Sequence, residues 1–237
     1  MIQVYPAKER FFADHGWLKS YFSFSFAHYF DPNNMMFGPM RVLNDDVVKP
    51  LRGFGAHPHE EMEIVSIVLK GQLKHEDSTG QSAITTFGGI QRMTAGTGVV
   101  HSEVNPSDTE EVNFLQMWFV PDTPGLPPSY EKTEFDVNKL KNQLLPVVSK
   151  KLAGEGVAYI HQDLTIYLSD LEKENELTFT QQPDRYIFFF VIEGNVTLND
   201  EFTLGRRDSA RITDVTKLHI KANEDSRFML IDLPSNH

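Results

Sequence analysis

The feature that most constrains the fold is a succession of short apolar stretches, each closed by Gly or Pro. Residues 62–69 run into Gly71, residues 114–120 run into Pro121, and residues 186–192 run into Gly194. Each stretch is rich in β-branched or aromatic side chains, which is typical of β-strands that end in turns. Many such segments without intervening helices predict an all-β sandwich or barrel.

The chain also carries a faint internal repeat. Residues 65–73 and 188–196 both comprise an apolar strand, a charged or polar residue, a Gly and a second strand. The repeat predicts two similar β domains in tandem, with little helix. We place the first domain at residues 1–130 and the linker with the second domain at residues 131–237. One helix is predicted over 136–145, between Asp136 as N-cap and Pro146 as the stop.

Composition excludes several kinds of site. The 237 residues include no cysteine and carry a formal net charge of −11. Disulfides, thiolate metal sites and a cysteine nucleophile are therefore excluded, and direct binding of nucleic acid is disfavoured. The N-terminus lacks the apolar core of a signal peptide, and residues 186–192 are too short to span a bilayer. These patterns predict a cytoplasmic protein without a membrane segment.

Two short motifs place metal-binding side chains at alternate positions. His57-Pro58-His59 precedes one predicted strand, and His101-Ser102-Glu103 repeats the spacing further along. Residues i and i+2 of a strand face the same side, so neighbouring strands would gather three imidazoles and a carboxylate. Such donors suit Fe, Mn, Ni, Cu or Zn better than Ca or Mg. Four protein ligands would leave two octahedral positions open.

Glu63 competes with Glu103 as the carboxylate ligand. Positions 57, 59, 61 and 63 share a face if the strand is regular, so alternation alone does not separate the two. The spacing of Glu103 from His101 matches that of the first pair and favours Glu103. Glu63 would then orient a ligand or serve as a structural carboxylate.

Larger motifs extend beyond these two pairs. His57, His59 and Glu63 resemble the first cupin motif, and Gly98, His101 and Asn105 resemble the second. A further set of stretches comprises His15-Gly16-Trp17, Phe24-Ser25-Phe26-Ala27, Tyr29-Phe30-Asp31-Pro32, Gly53-Phe54-Gly55, His57-Pro58-His59, Met62-Glu63-Ile64, Gln91-Arg92-Met93-Thr94-Ala95-Gly96 and His101-Ser102-Glu103. Together these stretches resemble the pirin family, and the bacterial pirin-like quercetin 2,3-dioxygenases in particular. The similarity is dense over about residues 8–130 and thinner afterwards.

The resemblance implies a bicupin, which is two tandem β-barrel domains of jelly-roll type, with one divalent transition metal ion in the N-terminal domain. The metal ligands would be His57, His59, His101 and Glu103. The resemblance favours iron as the metal and leaves Mn, Ni, Co, Cu and Zn open. The implied activity is the opening of a flavonol ring, such as that of quercetin, with O2, which releases carbon monoxide and a depside. Glu103 would be the catalytic base that accepts the 3-hydroxyl proton, or would only set the charge at the metal.

A flat substrate needs an apolar pocket, for which Phe37, Met40 and Trp118 are candidates, with Gln116 as a polar group that could reach the site. His15-Gly16-Trp17 is expected to anchor the first strand. Aligning Gly71 with Gly194 puts Thr180 and Gln182 at the positions of His57 and His59, which predicts no metal in the second half. A monomer would suffice for this arrangement.

Two other functions compete. Eukaryotic pirins resemble nuclear cofactors, so the chain could be a metal- or redox-sensing protein that acts through a protein partner. A cupin isomerase for sugar phosphates is the third hypothesis, and it would need a cation beside the metal. Arg41, Arg52 and Arg92 are the nearest candidates in sequence.

Overall fold

The computed structural model describes residues 1–236, which form an all-β protein with two short 3-10 helices at Ala7–Glu9 and Val137–Leu140. The predicted fold class is confirmed: two jelly-roll halves follow one another along the chain. Each half is a pair of sheets rather than a fully closed barrel. Within the described residues, no helix is long and apolar enough to cross a bilayer.

Twenty-one strands build the four sheets. Those up to the middle of the chain are β1 (Ile2–Tyr5), β2 (Phe11–Asp14), β3 (Leu18–Phe22), β4 (Met40–Val48), β5 (Gly53–His59), β6 (Glu63–Lys70), β7 (Leu73–Asp77), β8 (Ser82–Thr85), β9 (Gly89–Thr94), β10 (Val99–Val104), β11 (Val112–Phe119) and β12 (Ser129–Glu134). The remainder are β13 (Leu145–Ser149), β14 (Thr165–Leu171), β15 (Glu176–Thr180), β16 (Arg185–Glu193), β17 (Val196–Leu198), β18 (Phe202–Leu204), β19 (Ser209–Ile212), β20 (Lys217–Ala222) and β21 (Ser226–Pro234).

The two halves repeat one topology. The first pairs a seven-stranded sheet, β12-β9-β6-β11-β4-β3-β2, with a four-stranded sheet, β5-β10-β7-β8. The second pairs a six-stranded sheet, β1-β19-β16-β21-β14-β13, with a four-stranded sheet, β15-β20-β17-β18. The N-terminal strand β1 therefore belongs to the sheet of the second half. The predicted division between residues 130 and 131 falls inside β12, and the domain bounds stay a prediction.

The two glycines of the sequence repeat occupy equivalent turns. Gly71 follows β6 with φ +80°, and Gly194 follows β16 with φ +95°. A Cβ at Gly71 would lie 2.5 Å from the carbonyl oxygen of Glu111, and one at Gly194 would lie 2.3 Å from Oγ of Ser226. Only glycine fits both this left-handed conformation and this close approach.

The two large sheets pack on each other through a shared apolar core. Leu43 and Met117 from the first half lie in the same buried cluster as Phe190 and Met229 from the second. The halves thus bury their large sheets against each other and leave the small sheets outside.

The predicted helix over 136–145 is mostly wrong. Asp136 caps a single 3-10 turn at Val137–Leu140 by accepting a hydrogen bond from the backbone N–H of Asn138. Asn142 then adopts φ +53°, and Pro146 lies within β13, which pairs with β14. Tertiary strand pairing overrides the weak local helical preference here.

Candidate metal centre

Adjacent strands β5 and β10 bring three histidines together. The antiparallel register sets His57 opposite His101 and His59 opposite Val99. Side chains two residues apart share a face, so the three imidazoles point to the same side. Their ring centroids lie 4.3 Å apart for His57 and His101, and 4.8 Å apart for His59 and each of the others.

The ring nitrogens of this cluster are arranged as metal ligands are. Nδ1 of His57 lies 2.6 Å from the carbonyl oxygen of Gly55, which fixes this nitrogen as the donor and turns Nε2 toward the cluster. Nε2 of His57 lies 2.7 Å from Nε2 of His101. Nε2 of His59 is buried and has no hydrogen-bond partner. An unpaired, buried imidazole nitrogen beside two converging ones fits a transition metal ion.

Burial keeps two of these imidazoles neutral. Burial, reinforced by His57, lowers the pKa of His59 to about 4. The pKa of His101 is lowered to about 2 by burial and by His57 and His59. Because a metal binds the deprotonated nitrogen, both side chains are ready to act as ligands at neutral pH.

Glu103 is brought to the same side of β10 as His101. A β-bulge in the pairing with β5 separates the two residues, so Glu103 lies opposite Phe54. Burial raises the pKa of Glu103, against hydrogen bonds from Gln116 and Ser66 that lower it. These bonds run from Nε2 of Gln116 to Oε2 over 2.6 Å and from Oγ of Ser66 to Oε1 over 3.3 Å. A carboxylate so held can bind a metal or accept a proton.

The sequence reasoning missed a fourth histidine, His75. It lies on β7 opposite Glu103, and with His101 and Glu103 it forms a second group whose potential ligand atoms all lie within 4.8 Å of one another. Its Nε2 lies 2.6 Å from Oδ2 of Asp77, and its ring stacks on Tyr130 at 4.1 Å between centroids. The alternation in His75-Glu76-Asp77, on the strand that restarts after Gly71, was the available signal.

Glu63 lies outside both groups. The chain turns at Glu61, where φ is +49°, and Glu63 begins β6 in the other sheet. Residues 57–63 therefore do not form one regular strand, and Glu63 does not share a strand face with His57 and His59. Oε1 of Glu63 accepts a hydrogen bond from the backbone N–H of His161 over 2.6 Å and lies 2.6 Å from its Nδ1. Glu63 is a structural carboxylate that ties the two halves together.

A cavity of about 360 Å³ opens beside the histidines. Trp118 and Gln116 line it, as anticipated, and the ring of Trp118 lies 4.9 Å from that of His59. Phe37 and Met40 do not line it, because they are buried in the core between the halves. The full lining is His15, Trp17, Leu18, Ser20, Phe22, Phe26, Ala27, Asn44, Asp46, Phe54, His57, His59, Glu103, Gln116 and Trp118.

Several of these residues were not identified from the sequence. His15 and Trp17, predicted only to anchor a strand, reach the cavity, as do Ser20, Asn44 and Asp46. No arginine or lysine is among the described lining residues, so Arg41, Arg52 and Arg92 offer no cation there. Arg92 is engaged elsewhere, by Tyr159, Thr94, Ser129 and Glu131. A sugar-phosphate site is disfavoured accordingly.

Three of the four equivalent positions in the second half are apolar. Leu198 follows Gly194 as His75 follows Gly71, and it lies opposite Ile220 as His75 lies opposite Glu103. Ile220 and Leu218 therefore take the positions of Glu103 and His101. Phe179, opposite Leu218, takes that of His57, with Gln181 at that of His59. The alignment that put Thr180 and Gln182 at the histidine positions is out of register by one residue. In the described part of the chain, both groups of potential metal ligands lie in the first half.

Comparisons with known proteins agree with this architecture. Residues 5–119 match the family described as Pirin, and residues 147–233 match the Quercetinase C-terminal cupin domain. The chain is 41% identical to quercetin 2,3-dioxygenase of Escherichia coli (strain K12) over 234 residues, which cover 99% of each chain. It is 37% identical to the putative quercetin 2,3-dioxygenase Rv0181c of Mycobacterium tuberculosis over 232 residues, covering 98% of this chain and 95% of the other.

A solved structure is similar over the same extent. The bacterial pirin YhhW of Escherichia coli, crystallised in complex with nickel(II), superimposes with a TM-score of 0.93 at 40% identity, covering 99% of both chains. The similarity therefore extends through both halves.

Proposed function

This chain belongs to the pirin family, and from that membership we propose that it is a metal-dependent dioxygenase that opens the ring of flavonols such as quercetin. The observation that carries the proposal is the cluster of three imidazoles, with His101 buried and His57 and His59 half-buried, beside an apolar cavity in the first half. Full-length relatives named quercetin 2,3-dioxygenase support the reaction class and the substrate. The chain resembles these enzymes over 99% of its length.

We assign the metal to His57, His59, His101 and Glu103. The unpaired Nε2 of His59 supports the three imidazoles as ligands. Glu103 contributes the negative charge. His75 lies beside His101 on the neighbouring strand, with 5.5 Å between their ring centroids. A divalent transition metal ion held there would supply Lewis acidity toward the 3-hydroxyl and 4-carbonyl pair of a flavonol and the redox capacity that O2 chemistry needs. Iron is our first choice; the nickel complex of YhhW makes nickel a second.

The side chains of the cavity position the substrate. The rings of Trp17, Phe54 and Trp118 offer flat apolar walls for an aromatic ligand. A wall of this kind also excludes water from the reacting centre. The small number of polar groups in the lining then determines the orientation of the bound ring system.

Glu103 is the proposed base. Its carboxylate is 3% exposed and faces the cavity, and burial raises its pKa above the ordinary value, which makes it a stronger base. It would accept the 3-hydroxyl proton, while Gln116 and Ser66 keep its two oxygens in place.

The proposal is tested by quercetin-dependent O2 consumption. The chain is stripped of metal, reconstituted separately with Fe, Mn, Ni, Co and Cu, and assayed after its metal content has been measured. We expect uptake that follows one metal and disappears in His59→Ala. Full metal occupancy without uptake would overturn the proposal and favour a metal-sensing protein that acts through a partner.

A further inference from the structure

A second set of polar side chains lines the cavity from the strands of the seven-stranded sheet. Ser20 on β3 lies opposite Asp46 on β4, and Asn44 on β4 lies opposite Gln116 on β11. All four line the cavity and are 9% exposed or less. Asn44 and Asp46 alternate with Asp45, which points to the other half of the molecule, where it pairs with Arg207.

Asn44 has a hydrogen-bonding group without a partner. Its Oδ1 is fully buried, and no side chain or backbone group of the described residues bonds to it. An unpaired buried amide destabilises the fold, so such groups are rare away from sites that a ligand completes. Turning the amide over would only exchange the unpaired oxygen for an unpaired nitrogen.

Asp46 also has unused capacity. Its Oδ1 accepts a hydrogen bond from Oγ of Ser20, and this is the one hydrogen bond that the described residues make to its side chain. A carboxyl group can take part in about four. Burial, together with Asp45 and Glu103, raises the pKa of Asp46 to about 7. Such a carboxyl group can form a further hydrogen bond with a ligand hydroxyl, because a hydroxyl can both donate and accept a hydrogen bond.

We propose that Asn44 and Asp46 form a hydroxyl-binding subsite that selects aromatic substrates with a hydroxyl group beyond the one directed at the histidine cluster. The inference rests on the proposed function, whose substrate class it narrows to polyhydroxylated flavonols. Apart from Ser20 and Gln116, the cavity wall on these strands is apolar, with Leu18 and Phe22 on either side of Ser20. A substrate ring without a further hydroxyl would leave Asn44 and Asp46 without a ligand partner. Leaving buried polar groups unpaired lowers the affinity for that substrate strongly.

The chain offers a binding signal that does not depend on turnover. Its only two tryptophans, Trp17 and Trp118, both line this cavity. Quenching of their fluorescence under anaerobic conditions measures the Kd of quercetin and of 3-hydroxyflavone, which carries only the 3-hydroxyl. Titrations are made on the chain as isolated and after treatment with a chelator.

The variants are Asn44→Leu, which keeps the volume, and Ser20→Ala/Asp46→Leu, which removes the acceptor together with its donor. Asp108→Asn, at an exposed position outside the cavity, is the matched control. We expect the ratio of the two Kd values to favour quercetin in the wild type. In each variant the preference should fall by about tenfold, with little change for 3-hydroxyflavone.

An unchanged ratio in folded variants would overturn the subsite, as would wild-type chain that binds 3-hydroxyflavone as tightly as quercetin. The comparison of quercetin with 3-hydroxyflavone on wild-type chain needs no variant. The proposal can therefore still be tested if a variant fails to fold. A Kd preference for quercetin without any O2 uptake would support the subsite and reject the dioxygenase. O2 uptake with equal Kd values for quercetin and 3-hydroxyflavone would support the dioxygenase and reject the subsite.

Discussion

Gln116 donates a hydrogen bond from Nε2 to Oε2 of Glu103 over 2.6 Å, and its own Oε1 accepts one from Nε1 of Trp118 over 3.0 Å. The indole N–H thereby fixes which end of the amide faces the carboxylate. The cavity wall and the proposed metal ligand are thus joined through one side chain.

Replacing this link should weaken metal binding. In Gln116→Leu, Glu103 loses the hydrogen bond that lowers its pKa, so a proton competes better with the metal. We expect metal affinity to fall by about 10–100-fold, measured by competition with a chelator at pH 7. Gln162→Leu, which removes a buried amide bonded to Val120, is the control. Equal affinity in wild type and Gln116→Leu would refute this role.

The role of Glu103 itself is separated by Glu103→Gln. If the carboxylate accepts the 3-hydroxyl proton, kcat should fall by about 10²–10⁴-fold in variant protein that still holds its metal. The check is single-turnover flavonol decay on protein of measured metal content. If Glu103→Gln binds metal and still turns over at the full rate, the only role left for the Glu103 carboxylate is to set the charge at the metal.

A buried ion pair joins the two halves on the opposite side of β4. Asp45 accepts from Arg207 and from Arg10, each over 2.9 Å. Asp45→Asn would leave Arg207 partly unpaired in a buried position and should lower the free energy of unfolding by about 3 kcal/mol. Urea unfolding at pH 7 measures this loss, with Asp108→Asn as the control. If the unfolding free energies of Asp45→Asn and wild type agree within experimental error, the stabilising role of this ion pair is refuted.

The same pair predicts a pH dependence. Burial would raise the pKa of Asp45, but Arg207 and Arg10 outweigh it and hold the pKa below its ordinary value of 3.8. A lowered carboxyl pKa stabilises the fold above the unfolded-state pKa, and this is lost as the pH falls through the folded-state pKa. The difference between wild type and Asp45→Asn should therefore persist at pH 5 and shrink below about pH 4.

The pH dependence of stability that Asp46 contributes should have the opposite sign to that of Asp45. Its pKa is raised from 3.8 to about 7, so the folded state binds more protons than the unfolded state between these values, and stability falls as the pH rises. Asp46→Asn removes this cost. In metal-free protein we expect its stability relative to wild type to increase by roughly 1–3 kcal/mol between pH 5 and pH 8. Parallel stability curves in urea would show that Asp46 is not buried as a carboxylic acid.

Local sequence patterns were sufficient to predict part of the candidate metal site and the two-part β fold. The alternation in His57-Pro58-His59 and the short strands closed by Gly71 and Gly194 indicated a histidine cluster and two β halves. Both depend on periodicity along one strand, which a sequence displays directly. The order of strands in each sheet, in contrast, depends on pairings between distant residues.

What the sequence left open or missed has the same origin. Alternation alone left both Glu63 and Glu103 open as the carboxylate ligand, because the turn at Glu61, with its positive φ, gives no sequence signal. His75, Ser20 and Asp46 reach the site from other strands, so their role appears only once the sheets are assembled. The helix over 136–145 was overestimated for a related reason, since the pairing of β13 with β14 is not local.

Metal per chain and carbon monoxide per O2, counted in the same preparation during quercetin turnover, decide whether the histidine cluster carries a ring-opening reaction. We expect one metal ion per chain, one carbon monoxide released for each O2 consumed, and the loss of both bound metal and turnover in His101→Ala. Turnover that persists in metal-depleted protein or in His101→Ala would show that the cluster does not carry the reaction.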